Sequence, residues 1–578
     1  TRLTGRRVLI LLDNARDTAQ VRPLLPGSAS CAVLVTTRNR TADLASTRFF
    51  DLNVLDDDEA LALFTTILGD ERAVAEPEAT AEVLVACAGL PLAIRICAAR
   101  LAARHQWKIA TMAKRLRDER RRLDELKVGD LAVRASFQVS YDSVGEARHG
   151  ADPKRAFRFL GLWQGPWISL QAAVALYGQA GGTGSPGRTG GADEGVVGED
   201  EVADALENLV DAHLLESPEP DWYGFHDLLR VYATERARAE DSDEDRAAAV
   251  QRLLGWYLHT ADGAAHVVAP HRYHIPLDAF LEASGEAVRD AVPARFDTAE
   301  AALNWYDSER ANVVAATRQA AQAGQHGVAW RLPAGLFPVF NRRDNWADVI
   351  AIHRVAVDSA TLAGDRAGEG WVRHNLGHAL ARIRDSEALG HLEQALAIRR
   401  ALGDRAGEAQ TALSLGEVHF KISGPSAALE PFQAALAAAR EAGRPSLLTI
   451  ALNNVGEMYL ELGRLDEAAD CFRQVGDVSV NASVYGQAYA LHNLGRVYVE
   501  LGRPQEAIAC LREALRLHER SVDMNGKATA HRYLGRAYRA AGELASARES
   551  WTAALAIFRQ VGREPEAIEV EAALADLP

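Results

Sequence analysis

The 578-residue sequence contains 48% apolar and 25% charged residues and has a formal net charge of −15. Because a single core rarely exceeds roughly 250 residues, this length predicts several domains. The acidic balance disfavours non-specific nucleic-acid binding over the whole surface. No run of about 20 apolar residues predicts a membrane span, and no signal peptide is visible at the start, so we expect a cytoplasmic protein.

The first predicted elements are two parallel strands joined by a short connection. RRVLILLDNA, residues 6–15, is an almost continuous apolar run, which is typical of a strand covered on both faces of a sheet. CAVLVTTRNR, residues 31–40, repeats the pattern after a connection through Val21 and Leu24, and FFDLNVL is a candidate third strand. Because the chain starts at Thr1 with no earlier strands, we expect it to be the C-terminal portion of a longer protein.

From residue 56 the pattern becomes helical. DDDEALALF predicts a helix with Asp57 or Asp58 as its N-cap. In CAGLPLAIR, Gly89 and Pro91 predict the end of one helix and the start of the next. The glycine-rich stretch at residues 180–195 is interpreted as a flexible loop, because it has too few apolar residues to pack.

The short helices and apolar segments after residue 131 predict a winged helix. Winged helices often bind DNA, but the predicted third helix, Glu201 to Glu216, carries Asp204, Glu207 and Asp211 and no Lys or Arg. DNA phosphates would repel this helix. The sequence therefore favours a packing and switching role for the region over DNA binding.

The last third of the chain is periodic, with glycines spaced 39, 40, 39 and 40 residues apart. A bulky residue follows each glycine after 15 or 16 residues, and alanines lie between them. This pattern resembles the tetratricopeptide repeat, in which small residues let two helices approach and the bulky residue fills the gap. The five pairs are Gly377 with Leu392, Gly416 with Phe432, Gly456 with Phe472, Gly495 with Leu511, and Gly535 with Trp551.

The two predicted strands end in polar residues. Asp13 follows the first apolar run, and Thr37 and Arg38 follow the second. At the carboxyl ends of parallel strands a carboxylate can hold Mg²⁺ through water, and an Arg can contact a terminal phosphate. A cap on the following helix would give the same Asp, and a single His such as His226 in GFHDLLRVYA is usually a core or surface residue.

Taken in this order and spacing, however, four segments resemble the NB-ARC family of signal-transduction NTPases. LLDNA resembles its Walker B strand, TTR its sensor strand, GLPLAI its GLPLA motif and FHD its methionine-histidine-aspartate motif. With helical repeats behind these segments, the chain is similar to the AfsR-like, SARP-type bacterial transcriptional regulators.

The resemblance implies a mostly α fold that contains a partial α/β domain and ends in a tetratricopeptide solenoid. The expected domains are the C-terminal part of an NB-ARC nucleotide-binding domain at 1–55, a helical subdomain at 56–130, a winged helix at 131–240, a helical linker with degenerate repeats at 243–365, and the repeats at 366–578.

The resemblance also implies ADP or ATP with Mg²⁺ as cofactors of the full-length protein. Asp13 would hold the metal through water, Arg38 would sense the γ-phosphate, Pro91 would lie beside the adenine and His226 would contact the β-phosphate of ADP. ADP would clamp the subdomains shut. The implied nucleotide-binding set is Asp13, Thr37, Arg38, Gly89, Pro91 and His226.

Two departures from the family weaken the expectation of nucleotide chemistry. The glycine-rich phosphate loop is missing, since the single Gly-Lys pair, Gly526 and Lys527, is followed by Ala528 within the repeats. Asn14 stands where many relatives carry a second acid, and an amide cannot accept the proton of an attacking water. We therefore expect at most a slow ATPase in the full-length protein, and the sequence leaves open whether this chain alone binds a nucleotide.

The repeats carry a candidate site for a protein or peptide partner. Polar residues precede several of the repeat glycines, on the helix that tetratricopeptide arrays turn toward their concave face. Asn is also simply common at that position of the repeat. Arg496 and Arg536, one residue beyond their glycines, would favour an acidic segment. The predicted partner-binding residues are Asn375, Asn454, Asn493, His374, His492, Arg496, Arg532 and Arg536.

Two functions remain open at this point. The first is a nucleotide-dependent signalling switch that senses a partner through its repeats, binds DNA only through an N-terminal domain absent here, does not bind membranes, and forms oligomers under nucleotide control. The second is a nucleotide-independent scaffold. A GxxxxGK[ST] segment within roughly 100 upstream residues of the gene would favour the switch.

Overall fold

The structure is a computed structural model, and helices dominate it, which confirms the predicted mostly helical fold. None of the described helices combines the length and the hydropathy that a transmembrane span requires. Arg38, the glycine-rich stretch 180–195 and residues 118–125 lie outside the residues that the structure describes. The described residues are 7–15, 18–26, 30–37, 48, 50, 52–117, 126–128, 131–145, 150–178, 198–270, 272, 274–478, 484–520 and 523–577.

The chain divides into two compact units, Thr1–Val339 and Phe340–Pro578. The second unit begins earlier than the predicted repeat boundary at residue 366. The helix before that boundary packs against the first repeat helix, so residues 340–365 group with the repeats.

The first elements are two strands in parallel. β1 (Leu9–Ala15) is followed by the single turn α1 (Thr18–Val21) and by β2 (Ala32–Thr37). Leu12 lies opposite Val35 in a parallel register. The predicted order and direction of the strands are confirmed.

The exposure of this strand pair differs from the prediction. Leu9, Leu11 and Leu34 are 69%, 60% and 52% exposed, although the apolar run was expected to be covered on both faces. Opposed residues of parallel strands point to the same side of a sheet, so these side chains form one apolar face. In the described part of the chain this face is largely open to solvent.

Five helices lie among the described residues 56–117, after the strands. The N-cap of the first is Asp56, not Asp57 or Asp58: its carboxylate accepts from the Glu59 amide at 2.8 Å, and the Glu59 carboxylate accepts from the Asp56 amide at 3.3 Å. Residues 52–55 of FFDLNVL are not a strand. The helices are α2 (Asp57–Leu68), α3 (Asp70–Ala75), α4 (Pro77–Cys87), α5 (Pro91–Ala103) and α6 (Ile109–Leu116).

The region predicted as a winged helix contains short helices and two small antiparallel sheets, β3 with β4 and β5 with β6. Whether it is a winged helix stays a prediction. Its elements are β3 (Lys127–Val128), β4 (Leu131–Ala132), α7 (Val133–Ser143), α8 (Pro153–Leu160), β5 (Ile168–Ser169), α9 (Leu170–Tyr177), α10 (Glu199–Asp211), β6 (Trp222–Tyr223) and α11 (Asp227–Glu240).

Helix α10 is the predicted third helix, but it begins and ends earlier than expected. The Glu201 carboxylate accepts from the Gly198 amide at 3.0 Å, which fixes the start at Glu199. The chain leaves the helix after Asp211 because His213 adopts a left-handed φ of 53°.

Six helices complete the first unit and lead into the second. A buried carboxylate, Glu309, accepts hydrogen bonds from Ser169 Oγ at 2.6 Å, Asn312 Nδ2 at 2.7 Å and Tyr257 OH at 2.9 Å. It therefore ties β5 to two of these helices. The six helices are α12 (Asp243–Val268), α13 (Asp278–Ala283), α14 (Glu286–Arg289), α15 (Ala299–Gln322), α16 (His326–Gly335) and α17 (Phe337–Arg343), and Glu309 joins β5 to α12 and α15.

The repeats are helical hairpins packed as the sequence predicts. A Cβ atom added to any of the five repeat glycines would lie 2.4 to 2.8 Å from the bulky side chain of its own repeat. Glycine therefore permits the close approach of the two helices. The helices are α18 (Trp346–Leu362), α19 (Arg366–Arg382), α20 (Glu387–Leu402), α21 (Arg405–Ser423), α22 (Pro425–Ala442), α23 (Pro445–Glu461), α24 (Leu465–Val478), α25 (Val484–Glu500), α26 (Pro504–Arg520), α27 (Met524–Ala540), α28 (Leu544–Gln560) and α29 (Glu564–Ala575).

Candidate functional site

The carboxyl ends of β1 and β2 bring polar side chains together. The Thr36 hydroxyl donates to Asp13 Oδ1 at 2.5 Å, and Ala15 lies opposite Thr37. Asp13 is exposed, and oxygen atoms of this kind suit Mg²⁺, which usually keeps several waters and takes one or two protein carboxylates. Arg38 follows directly but lies outside the described residues.

The GLPLA segment forms the turn between α4 and α5. Ala88 and Gly89 have left-handed φ angles of 49° and 68°, and Pro91 is the first residue of α5. A Cβ atom on Gly89 would lie 2.5 Å from the Leu55 carbonyl oxygen, and the Leu55 amide donates to Gly89 O at 2.9 Å. Only glycine fits here, because a Cβ atom would clash with the Leu55 carbonyl oxygen, and the left-handed φ angle adds strain for any other residue.

His226 joins this turn to α11. It is the N-cap residue of α11, and its Nε2 donates to the Ala88 carbonyl oxygen at 2.7 Å, across 138 residues of sequence. A carbonyl oxygen can only accept, so Nε2 of His226 is the donor in this contact. The FHD motif therefore contacts the residue that directly precedes the GLPLA motif.

These contacts form two pairs, Asp13 with Thr36 and His226 with Ala88. Each pair holds one residue of the predicted nucleotide set, Asp13 or His226, together with a direct neighbour of another member of the set, Thr36 beside Thr37 or Ala88 beside Gly89. That Asp13, Arg38, Pro91 and His226 surround one common hollow stays a prediction.

A cleft of about 1790 Å³ opens beside the His226 contact. It runs between α4 and α6 on one side and α11, α12 and α15 on the other, and Asp227 next to His226 lines it. The hydrogen bond from His226 to Ala88 therefore bridges two groups of helices beside an open space. Other polar residues that line the cleft include Glu82, Gln164, Arg230, Arg246 and Gln319.

Several predicted partner-binding residues are buried between repeats. The reason is visible at Asn453, whose Nδ2 donates to Gly486 O at 3.2 Å in the first helix of the next repeat. Asn454 is half-buried. This corrects the expectation that the whole set faces a partner. The residues that are 6% exposed or less are His374, Asn375, His492 and Asn493.

The three predicted arginines reach the surface, but each already contacts a carboxylate of a neighbouring repeat. Arg496 Nη2 lies 3.3 Å from Glu461 Oε1. Arg532 Nη1 lies 2.8 Å from Glu569 Oε2, and Arg536 pairs with the other oxygen of the same carboxylate. Carboxylates of the chain itself therefore already contact these arginines.

The sequence interpretation missed both of these carboxylates. Glu569 lies in α29, beyond the last repeat marked by a glycine. A signal was present, because Arg496 and Glu461 are 35 residues apart and Arg532 and Glu569 are 37 apart, close to one repeat period. Opposite charges at that separation lie on neighbouring first helices.

Comparisons with known proteins identify the repeats and relatives of the chain. The tetratricopeptide repeat family model matches residues 369–441, 446–520 and 486–560. The regulatory protein AfsR of Streptomyces coelicolor is 39% identical over 481 residues, which are 82% of this chain and 45% of that protein. The chain is AfsR-like. The AfsR protein of Streptomyces griseus is also 39% identical, over 462 residues, 72% of this chain and 44% of that protein.

The AfsR-like chain thus spans less than half the length of these curated relatives. A solved structure of a STAND signal transduction ATPase with a tetratricopeptide repeat sensor, from Pyrococcus horikoshii, aligns with 98% of this chain and 80% of its own. Its identity is 15% and its TM-score 0.36, which is too low to establish a shared arrangement.

Proposed function

We propose that this AfsR-like chain is part of a transcriptional regulator in which an ADP/ATP switch is coupled to a repeat array that binds a protein or peptide partner. The observation that carries the proposal is the hydrogen bond from His226 to Ala88 at 2.7 Å. It connects the GLPLA turn with α11 beside an open cleft. A contact that joins two helix groups in this way suits a latch between two states of a switch.

In this proposal the chain supplies one side of a nucleotide pocket. Asp13, with the Thr36 hydroxyl beside it, offers oxygen ligands for Mg²⁺ through water. The metal would neutralise phosphate charge. The remaining residues proposed to contact nucleotide are Thr37, Arg38, Gly89, Pro91 and His226. The phosphate loop of the family has no counterpart in this sequence, so an upstream segment must provide it.

His226→Ala tests the latch in the chain itself. We expect the local opening free energy of the turn to fall by about 1 kcal/mol, because one hydrogen bond to a backbone carbonyl is lost. His226→Gln is the matched control, since its amide can still donate to Ala88 O. Native-state hydrogen exchange of the amides at 88–90 and 227–230 measures the effect. Equal exchange in all three proteins would contradict the latch.

Nucleotide dependence is tested on the gene product extended upstream to include a GxxxxGK[ST] segment. We expect ADP to co-purify with this protein, to be released on denaturation, and to be absent from the His226→Ala variant. The His226→Gln variant keeps a donor for Ala88 O but lacks the imidazole. It therefore separates loss of the nucleotide contact from loss of the latch. The switch proposal would be contradicted if the extended protein retained no nucleotide and its melting temperature did not change with Mg-ADP.

The second candidate is a nucleotide-independent scaffold. It is favoured by one observation, the absence of any GK[ST] segment from the sequence, while the repeats form a well-packed unit of their own. If the upstream gene sequence also lacks a phosphate loop, this candidate replaces the switch.

DNA binding is proposed only for a domain outside this chain. Asp204, Glu207 and Asp211 of α10 are exposed, so the helix presents carboxylates to solvent. Glu207 also accepts a hydrogen bond from Tyr223 OH at 2.8 Å. A duplex would be repelled by this acidic surface.

A further inference from the structure

Three arginines gather around one aromatic ring in the last repeats. The guanidinium carbons of Arg532, Arg496 and Arg536 lie 4.8, 5.2 and 5.2 Å from the ring centroid of Tyr533. Three positive charges this close repel one another, and stacking on one ring offsets only part of that repulsion. Nearby negative charge is therefore needed to stabilise the cluster.

The negative charge comes from two glutamates on the flanking first helices. Glu569 bridges Arg532 and Arg536, and Glu461 lies against Arg496. Among the described residues the buried Nε of Arg532 still has no hydrogen-bond partner. The donors of the cluster therefore exceed the acceptors that reach it.

A cavity of about 600 Å³ adjoins the same residues. Its lining is balanced in charge only while Glu569 is present, and without that carboxylate the arginines are in excess. The charged residues that line it are Arg532, Arg536 and Arg539 together with Glu500, Glu569 and Asp576.

The helix that brings Glu569 to the cluster is the last one described. Only Ala567 and Val570 of α29 are buried, and Glu569 itself keeps 44% of its side chain exposed. Glu569 is held at the cluster by its ion pairs with Arg532 and Arg536 and not by burial, so another acid can replace it.

We propose that the cluster of Arg496, Arg532 and Arg536 is a binding site for adjacent carboxylates of an acidic peptide segment, and that Glu569 occupies it in the absence of the partner. The proposal rests on the partner-binding role of the repeats and specifies its chemistry. Guanidinium groups bind carboxylates in paired hydrogen bonds, and Arg532 and Arg536 already hold one carboxylate between them. Glu569 thus sets the affinity by competition.

Fluorescence anisotropy with fluorescein-labelled hexaglutamate tests the site on the full chain. We expect Glu569→Gln to tighten binding about tenfold. This is the factor by which Glu569 would lower the apparent affinity if it occupied the site about nine-tenths of the time. We expect the double variant Arg532→Gln and Arg536→Gln to weaken binding by more than about tenfold. Labelled hexaglutamine should not bind.

The matched control is Glu571→Gln on the same helix. Glu571 has the same 44% exposure but pairs with Arg559, outside the cluster. Equal effects of Glu569→Gln and Glu571→Gln would show a general charge effect and overturn the proposal. Failure of hexaglutamate to bind Glu569→Gln would also overturn it, without touching the ADP switch. If circular dichroism shows that the double arginine variant does not fold, the comparison of Glu569→Gln with Glu571→Gln still tests the proposal.

Discussion

Gly535→Ala is expected to lower the local free energy of unfolding of the last glycine-marked repeat by about 3 kcal/mol. The added Cβ would lie 2.4 Å from the ring of Trp551, which is 1% exposed. The indole cannot simply move away, because its Nε1 donates to Arg532 O at 3.0 Å. Helices α27 and α28 must therefore separate, or Trp551 must leave its position.

Gly390→Ala provides the matched control in the same array. Gly390 lies inside α20, is exposed, and a Cβ there meets no atom within 4 Å. Alanine is the better helix former, so this change should stabilise by about 0.5–1 kcal/mol. Native-state hydrogen exchange resolves each repeat separately, which matters because solenoids need not unfold in one step. If both substitutions changed stability in the same direction, the close-packing role of the repeat glycines would be refuted.

Glu309→Ala is expected to lower the free energy of unfolding of the first unit by about 3–5 kcal/mol. The carboxylate is 2% exposed and accepts from Ser169, Tyr257 and Asn312. Alanine leaves a cavity and removes the acceptor from three donors at once, two of which, Tyr257 and Asn312, are buried. Loss of amide protection in β5, α12 and α15 together is the measurement, since Glu309 joins these elements.

Glu309→Gln is the control, because it keeps the shape and most of the hydrogen bonds. Burial raises the pKa of Glu309 above its ordinary value of 4.5, against the opposing hydrogen bonds from Ser169, Asn312 and Tyr257. A raised pKa in the folded state contributes stability below pH 4.5 that is lost as pH rises through the folded pKa. The stability of the wild type relative to Glu309→Gln should therefore fall from pH 4.5 toward neutrality. A pH-independent difference would contradict this assignment.

The sequence predicted the strand pair and the turn motif because both depend on near neighbours. A parallel strand is marked by its own apolar run, and a helix start by its own proline. The N-cap of α2 was predicted at Asp57 or Asp58 and lies at Asp56, since the choice among three successive aspartates depends on the reciprocal hydrogen bonds between Asp56 and Glu59. The strand pattern predicted that Leu9, Leu11 and Leu34 are covered, but they are exposed. Whether another element packs over a strand depends on other parts of the chain, which the pattern of the strand itself does not describe.

The candidate sites were predicted less completely than the fold. The sequence singled out His226 and the GLPLA turn, but only the fold showed that Ala88 is the acceptor of the His226 proton. It also singled out the arginines of the last repeats without the glutamates that occupy them. Residue type indicates which chemistry is available, whereas the choice of partner depends on which side chains the fold brings within about 3 Å.

The sequence by itself determined the repeats, because each glycine and its bulky partner lie 15 or 16 residues apart within one hairpin, and every copy restates the same packing. Only the tertiary structure decided which polar side chains are buried, which are exposed and which are already paired. Asn453 meets Gly486, Arg532 meets Glu569 and Glu309 meets Ser169 across 33, 37 and 140 residues. A short period in the sequence fixes local packing, but contacts over such separations depend on how whole helices settle against one another.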